Sequence, residues 1–225
     1  MQNTKILIVD DEEDICAIVS YHLNREGYST FTALSTEDAT KYDLSTFSLF
    51  ILDVMLPGKS GFEFAKLLKQ NHSTNSIPII FLTALDTEQN ILQGFELGGD
   101  DYIPKPFSPN ILSARVKSVL RRFNSLPQDK VLQYQGIKIN QQNLSLSIDN
   151  QEIAVTPLEL NLLTLFLTHI GKVLSRETII KKVWPEDSLV TFRTIDVHIT
   201  RLRKKLGNYS NHIQTKTGYG YIFQP

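Results

Sequence analysis

Short apolar segments alternate with amphipathic segments through the first half of the chain, and this pattern predicts an α/β sheet. Apolar runs predict five strands, at 6–9, 28–34, 47–53, 77–82 and 101–106. Helical spacing of apolar residues predicts helices at 14–26, 61–70, 87–97 and 108–122, with a short polar helix after Ser35. This alternation favours a doubly wound parallel sheet, whose right-handed crossovers bring all five strand ends to one edge.

Polar side chains stand at the predicted strand ends. Asp10 and Asp11 follow the first strand, Asp53 ends the third, Thr83 follows the fourth, and Lys105 lies in the fifth. Converging carboxylates repel one another unless a cation lies among them, and all-oxygen ligands favour a hard ion such as Mg²⁺. A lysine and a hydroxyl facing that ion are suited to hold a phosphoryl group. Each residue alone could be a helix cap, a strand end or a solvated side chain, but their shared position favours a site.

The second half of the chain has a different pattern, which begins after a polar segment at 124–129. That segment predicts an interdomain linker. Two alternating segments within 131–148 and an apolar run from 152 predict hairpins. Helices are predicted after the capping box at 156–159, after Ser175 as far as 184–185, and over 192–206, before a final hairpin at 213–223. Three helices followed by a hairpin indicate a helix-turn-helix with a wing.

The last predicted helix carries two stripes of side chains. One is apolar and is expected to face a core: Ile195, Ile199, Leu202 and Leu206. The other is rotated by about 100° and is polar: Thr194, His198, Arg201 and Lys205, extended by Arg193, Thr200 and Lys204. A solvated basic face would explain this stripe by itself, but the surrounding helices and wing favour a helix that enters the DNA major groove.

Charge divides the chain in the same way. The net charge of −1 combines −5 over residues 1–123 with +4 over residues 124–225, which suggests a polyanionic partner for the second half. A single cysteine excludes an internal disulfide framework and a thiolate zinc site. No apolar run approaches the roughly 18 residues of a membrane span, and no secretory signal is recognisable at the start. We therefore expect a cytoplasmic protein without a membrane partner.

The strand-end motifs at 9–12, 52–57, 83–84 and 100–107 resemble those of the receiver domain of two-component response regulators, over about residues 3–123. The resemblance implies that Asp53 accepts a phosphoryl group from a sensor histidine kinase. It implies the following Mg²⁺ ligands: Asp10, Asp11, Asp53 and the backbone carbonyl of Met55. It also implies that Thr83 and Lys105 contact the phosphoryl oxygens, and that Tyr102 swings inward when Thr83 moves.

The segments 156–159, 193–199, 201–204 and 215–221 resemble the effector domain of the OmpR/PhoB family, over about 130–225. The resemblance implies promoter DNA as a partner. Residues near the phosphate backbone would be Arg176, Trp184 and Arg193, and those along the recognition helix Thr194, His198, Thr200, Arg201, Arg203 and Lys204. A loop at 185–191 is where such proteins can touch RNA polymerase. In the wing, Thr217 follows Lys216 and replaces the usual arginine, so we expect specificity to rest mainly on the recognition helix.

The receiver resemblance also implies a homodimer on phosphorylation, formed through helix 86–97, strand 101–104 and helix 108–122. Its apolar centre would contain Phe95 and Ala114, with flanking charges at Asp101, Arg115, Glu96 and Lys117. Ile91 and Ile111 replace a charge pair that is common in the family. Because salt screens exposed ion pairs and not apolar burial, this replacement predicts a less salt-sensitive dimer.

Three functional interpretations follow from these residues. The first is a phosphorylation-controlled, DNA-binding regulator that is not an enzyme, with a receiver at 1–123, a linker at 124–129 and an α+β winged helix-turn-helix domain at 130–225. The second is a phosphatase with Asp53 as its nucleophile, but such enzymes place an acid two residues later, where this chain has Met55. The third is a regulator that binds DNA independently of phosphorylation, which the intact acid pair, Thr83 and Lys105 oppose.

Overall fold

The computed structural model describes residues 4–84, 94, 97–124, 131–141, 144–184 and 190–225. The chain divides into two compact units, Met1–Leu120 and Arg121–Pro225. Each unit has its own hydrophobic core. Within the described residues, no helix is both long enough and apolar enough to cross a bilayer.

A five-stranded parallel sheet forms the centre of the first unit, with the strand order β2-β1-β3-β4-β5. Its strands are β1 Lys5–Val9, β2 Ser29–Ala33, β3 Leu49–Asp53, β4 Ile79–Thr83 and β5 Asp101–Pro104. Every residue of β3 and β4 is buried, as expected for strands that are covered on both faces. The predicted doubly wound sheet is confirmed.

Helices flank this sheet and begin where the sequence offers caps. They are α1 Glu13–Arg25, α2 Thr36–Ala39, α3 Gly61–Gln70 and α4 Pro109–Asn124, with a 3₁₀ turn at Leu44–Thr46. The Ser35 hydroxyl accepts from the Asp38 amide at 3.1 Å, and Ser60 forms a capping box with Glu63. Of the predicted helix 87–97, only Gly94 and Leu97 lie among the described residues.

The second unit contains a four-stranded antiparallel sheet, three helices and a terminal hairpin. The sheet strands are β6 Val131–Tyr134, β7 Ile137–Asn140, β8 Ser145–Ile148 and β9 Gln151–Ile153. The later elements are α5 Pro157–Leu167, β10 Val173–Leu174, α6 Arg176–Val183, α7 Phe192–Leu206, a 3₁₀ turn Gly207–His212, β11 Ile213–Lys216 and β12 Gly220–Phe223. The strands β10, β12 and β11 form a second, three-stranded sheet.

One hairpin differs from the prediction. The sequence pattern predicts two strands within 131–148, but three are present, because the chain turns at Gln135 and Gly136 between β6 and β7. Gln135 takes a φ of 48°, a region that glutamine rarely adopts. The turn is held from outside: the Tyr209 hydroxyl donates to Asp149 at 2.7 Å, and both side chains lie where a Cβ on Gly136 would fall.

The helix bounds in the second unit agree with the sequence pattern. In the α5 capping box, the Thr156 hydroxyl accepts from the Glu159 amide at 3.3 Å, and the Glu159 carboxylate accepts from the Thr156 amide at 2.8 Å. The helix α7 covers the predicted 192–206. Its apolar stripe is fully buried, as expected: Ile195, Ile199, Leu202 and Leu206.

Candidate functional site

Three carboxylates meet at the carboxyl edge of the parallel sheet. Asp10 and Asp11 follow β1 and Asp53 ends β3, and one oxygen of each lies within 4.8 Å of the others. Asp10 is 0% and Asp53 3% exposed, whereas Asp11 faces solvent. The edge therefore gathers negative charge that is buried on one side and open on the other.

Lys105, which follows β5, supplies positive charge to this cluster. Its Nζ lies 2.6 Å from Asp53 Oδ2, 2.9 Å from Asp10 Oδ2 and 3.0 Å from Glu12 Oε1. Burial disfavours the ammonium, but hydrogen bonds to the three carboxylates outweigh it and raise the pKa of Lys105. Burial also raises the pKa of Asp10, against the opposing hydrogen bond from Lys105. A permanent cation thus lies against Asp53.

The loop after β3 fixes the orientation of the Asp53 carboxylate. The Met55 amide donates to Asp53 Oδ1 at 2.9 Å, so Oδ2 is the oxygen that faces Lys105. The chain then returns to place Gly61, the first residue of α3, directly against the Asp53 carbonyl, where a Cβ would collide. Two buried carboxylates and one exposed carboxylate form a hard, all-oxygen donor set, which fits Mg²⁺.

Thr83 and Tyr102 are buried beside this cluster. Thr83 ends β4, Tyr102 lies in β5, and the Tyr102 hydroxyl interacts with the Thr83 side chain. Burial raises the pKa of Tyr102, so its hydroxyl stays protonated at neutral pH. The ring packs beside Phe81, with 6.1 Å between ring centroids, and against Gly94, where a Cβ would lie 2.9 Å from its Cε2 atom. The sequence indicated Thr83 and Tyr102, but not the space at Gly94 that admits the inward ring.

The predicted dimer face is described in part. Ile91, Phe95 and Glu96 lie outside the described residues, while Ile111, Ala114 and Lys117 are exposed on α4. Asp101 and Arg115 are instead buried, and Arg115 Nη1 lies 3.0 and 3.2 Å from the two Asp101 oxygens. Within one chain these two charges neutralise each other, and their place beside a dimer contact stays a prediction.

The recognition helix α7 turns a different face to solvent than the sequence suggested. Thr194 is 0% and His198 1% exposed, and the His198 ring lies 5.5 Å from the ring of buried Trp184. Their predicted place on the DNA-facing surface is therefore wrong. The buried stripe of α7 includes these two polar side chains as well as the apolar ones. The outward stripe is Arg193, Val197, Thr200 and Lys204, with Val197 half-buried. Nothing in the sequence pattern had indicated Val197.

The basic side chains Arg201, Arg203 and Lys205 of the recognition helix contact the protein itself. Lys205 Nζ lies 2.6 Å and Arg201 Nη2 3.5 Å from the carboxylate of Glu159, which is 0% exposed. Arg203 donates to the Ile213 carbonyl from Nε at 3.0 Å and from Nη2 at 2.8 Å. These contacts hold α7 against α5 and against the first wing strand.

Arg176 is also engaged within the unit. Its Nε lies 2.9 Å from Asp196 Oδ1, which accepts a further 2.5 Å hydrogen bond from the Tyr221 hydroxyl. The guanidinium groups of Arg176 and Arg203 lie 4.9 and 5.7 Å from the centre of the Tyr221 ring. Burial and the bond to Asp196 raise the pKa of Tyr221 to about 12. The cluster joins α6, α7 and the wing.

The wing ends in a three-residue turn between β11 and β12. Thr217 is exposed, Lys216 is half-buried, and the Tyr219 amide donates to the Lys216 carbonyl at 2.9 Å. Gly218 takes a φ of 80°, which glycine adopts without strain. Tyr219 is 76% exposed at the tip, a residue that the sequence pattern did not single out.

Comparisons with known proteins match both units. Residues 6–117 match the response regulator receiver domain, and residues 150–223 match the family "Transcriptional regulatory protein, C terminal". The phosphate regulon transcriptional regulatory protein PhoB of Pseudomonas aeruginosa is 41% identical over 225 residues, covering 99% of this chain and 98% of the relative. The chain belongs to the OmpR/PhoB family of response regulators. Transcriptional regulatory protein ResD of Bacillus subtilis is 38% identical over 233 residues, covering 98% of this chain and 96% of ResD.

Two solved structures resemble this one over nearly their whole length. DrrB, a Thermotoga maritima OmpR/PhoB homologue, has 33% identity and a TM-score of 0.53, with 99% of both chains covered. A mutant of RitR has 26% identity and a TM-score of 0.76, with 98% of this chain and 99% of the RitR chain covered.

Family membership excludes one of the three functional interpretations. This response regulator is a DNA-binding transcription regulator of a two-component system, and the family does not consist of enzymes, so the phosphatase interpretation is wrong. A sensor kinase and DNA are its partners. Receiver domains of this family use Mg²⁺ at an acidic pocket, which agrees with the carboxylate cluster of Asp10, Asp11 and Asp53.

Proposed function

We propose that a sensor histidine kinase phosphorylates Asp53 and that this modification controls DNA binding by the second unit. The observation that carries the proposal is the carboxylate of Asp53, which lies between two further acids and a lysine 2.6 Å away. Mg²⁺ would be held by Asp10, Asp11, Asp53 and the Met55 carbonyl, and when bound it supplies positive charge to the phosphoryl oxygens.

Asp53, Lys105 and Thr83 have separate roles in phosphoryl transfer. Asp53 attacks the phosphorus atom, and the bond to the donor nitrogen breaks as the acyl phosphate forms. The product adds about −1.5 to −2 charges. Lys105 already lies against Asp53 as a cation and offsets part of this charge. Thr83 donates its hydroxyl to a phosphoryl oxygen, which requires it to change its present interaction with Tyr102.

The test is phosphoryl uptake from acetyl phosphate, followed by the mass of the intact protein. Wild type is expected to gain one phosphoryl group that hydroxylamine removes, and to do so only in the presence of Mg²⁺. Asp53→Ala is expected to gain none, and a chelator is expected to stop uptake by the wild type. A labile phosphoryl group on Asp53→Ala, or uptake that chelation leaves unchanged, would contradict the assignment.

For DNA, we propose that the outward stripe of α7 enters the major groove. Arg193 and Lys204 contribute positive charge at its two ends, Thr200 lies between them, and Val197 can contact a thymine methyl group. The wing contacts the flanking duplex through Lys216, Thr217 and Tyr219. Arg176, Trp184, Arg201 and Arg203 support this surface from behind, in view of their contacts within the unit.

Further partners follow from the same architecture. We propose a homodimer on phosphorylation with Ile111 and Ala114 at its contact, and contact with RNA polymerase through 185–191, of which 185–189 lie outside the described residues. Such a regulator would work in the cytoplasm, where its kinase and promoter DNA meet. Ile111→Asp should keep the phosphorylated protein monomeric in sedimentation, whereas Lys66→Gln, which makes the same change of net charge at an exposed position of α3, should leave the dimer unchanged. An unchanged dimer would refute this contact.

A further inference from the structure

A buried carboxylate connects the first helix of the effector unit to the recognition helix. Glu159, in the first turn of α5, is 0% exposed and accepts from the Thr156 amide at 2.8 Å. From α7, Lys205 Nζ lies 2.6 Å from one of its oxygens and Arg201 Nη2 lies 3.5 Å from the other. A carboxylate taken fully out of water is costly unless it is paired, so this charge depends on those partners.

The positions of Arg201 and Lys205 limit the orientations that α7 can adopt. Arg201 and Lys205 are four residues apart, which places them one above the other on the same side of the helix. One carboxylate held between them resists both rotation of α7 about its axis and sliding along it. Rotation matters here, because adjacent residues differ by about 100° around a helix. A turn of that size would exchange the stripe of Arg193, Val197, Thr200 and Lys204 for the one beside it.

We propose that Glu159 is a positioning residue that sets the rotation of the recognition helix, and that Arg201 and Lys205 are its anchors and not ligands of DNA phosphates. The inference rests on the proposed DNA contact through the outward stripe of α7. It assigns adjacent lysines opposite roles: Lys204 is exposed and available to DNA, whereas Lys205 belongs to the buried carboxylate.

Adjacent lysines provide a matched test in the full-length protein. The probes are a duplex selected by the wild type from a random-sequence pool and a scrambled duplex of equal length. Binding is titrated over a range of salt concentrations, because each phosphate contact contributes about 0.9 to the slope of log K against log salt. Lys204→Gln is expected to reduce that slope by about 0.9. Lys205→Gln is expected to leave it unchanged while lowering discrimination between the two duplexes.

Glu159→Gln provides the converse change. It frees Arg201 and Lys205 to reach phosphates, so the slope should steepen and the scrambled duplex should bind more tightly, with discrimination reduced about tenfold or more. Its folding is checked by the fluorescence of Trp184, the one tryptophan of the chain. If this variant does not fold, the two lysine variants decide the question without it.

The outcomes separate the inference from the proposed DNA contact. A slope reduced equally by Lys205→Gln and Lys204→Gln would overturn the anchoring role, while leaving the DNA surface on α7 in place. A slope that falls with Lys205→Gln and not with Lys204→Gln would overturn both. If neither variant changes the slope and Lys205→Gln keeps full discrimination, Glu159 does not position a DNA-reading helix and the inference is wrong.

Discussion

The two units of the chain each place a lysine against a buried carboxylate, yet the two clusters suit opposite purposes. At Asp53, acids outnumber the cation: Asp10, Glu12 and Asp53 all lie within 3.0 Å of Lys105. At Glu159, cations outnumber the acid, since Arg201 and Lys205 share one carboxylate. Around Asp53, carboxylate oxygens that Lys105 does not neutralise can bind a metal ion. The single carboxylate of Glu159 is already shared by two cations and cannot.

Access to solvent separates the clusters further. Asp11 and the Glu12 side chain, at 61% exposure, open one side of the receiver cluster to water and to an incoming phosphodonor. The Glu159 carboxylate is covered by α5 and α7. Charge balance and access together distinguish a site prepared for chemistry from one that holds two helices, although both would be found by a search for buried ion pairs.

The largest expected effect is the loss of stability when Glu159 is removed, compared with the small change when Asp53 is removed. Glu159→Ala is expected to destabilise the effector unit by about 3 kcal/mol, because it breaks a buried ion pair and leaves two partly buried cations. Asp53→Ala should change the stability of the receiver by less than about 1 kcal/mol, because removing one of several crowded acids relieves repulsion. Urea unfolding followed by Trp184 fluorescence for the effector unit, and by circular dichroism for the whole chain, measures both. Equal losses would remove the distinction between the clusters.

Acid should weaken the effector unit through the same carboxylate. Burial of Glu159 opposes ionisation, but Arg201 and Lys205 outweigh it, so its pKa in the folded protein lies below the ordinary 4.5. A lowered folded pKa contributes stability above about pH 4.5, and that stability is lost as pH falls through the lowered value. The stability difference between wild type and Glu159→Gln, followed by Trp184 fluorescence, should therefore shrink as pH falls below about 4.5. A difference that is constant from pH 7 to pH 3 would contradict the pairing.

Inside the receiver, Gly94 offers a test of how Tyr102 is accommodated. Gly94→Ala gains up to about 1 kcal/mol of helix propensity. It also places a Cβ 2.9 Å from the Tyr102 ring, and such overpacking costs about 1–3 kcal/mol. We expect the ring to leave its inward position, detected as a shifted fluorotyrosine resonance that Tyr102→Phe identifies. Gly99→Ala is the control, since its Cβ would meet Phe81 and not Tyr102. A shift of equal size in both variants would rule out a specific role for Gly94.

The sequence predicted those features that depend on local pattern and on topology. Strand ends in a parallel sheet converge whatever the details of packing, so Asp10, Asp53 and Lys105 could be brought together from their positions alone. Capping boxes are local, so the start of α5 at Thr156 followed directly.

What the sequence did not predict depends on contacts between distant residues. Thr194 and His198 are polar, so the pattern predicts them at the surface, but the stripe that α7 buries is set by its neighbours, including Trp184. The turn at Gln135 carries no common turn pair and is supported by Tyr209, from the end of the chain. The sequence pattern likewise predicts one basic face on α7, because nothing local to the helix indicates that Glu159 holds two of its charges.

The smallest expected effect concerns the wing, which has no positive charge at Thr217. Thr217 is exposed beside Tyr219 at the tip but carries no charge. An arginine there could enter the minor groove, whose negative potential is strongest in narrow A-tracts. Thr217→Arg should tighten binding by about 3- to 10-fold on duplexes flanked by A-tracts and by less on G·C flanks, measured at fixed salt. Gln214→Arg, on an exposed position of β11, adds the same charge away from the tip. Equal gains from both variants on both flanks would show a general charge effect and no groove contact by the wing.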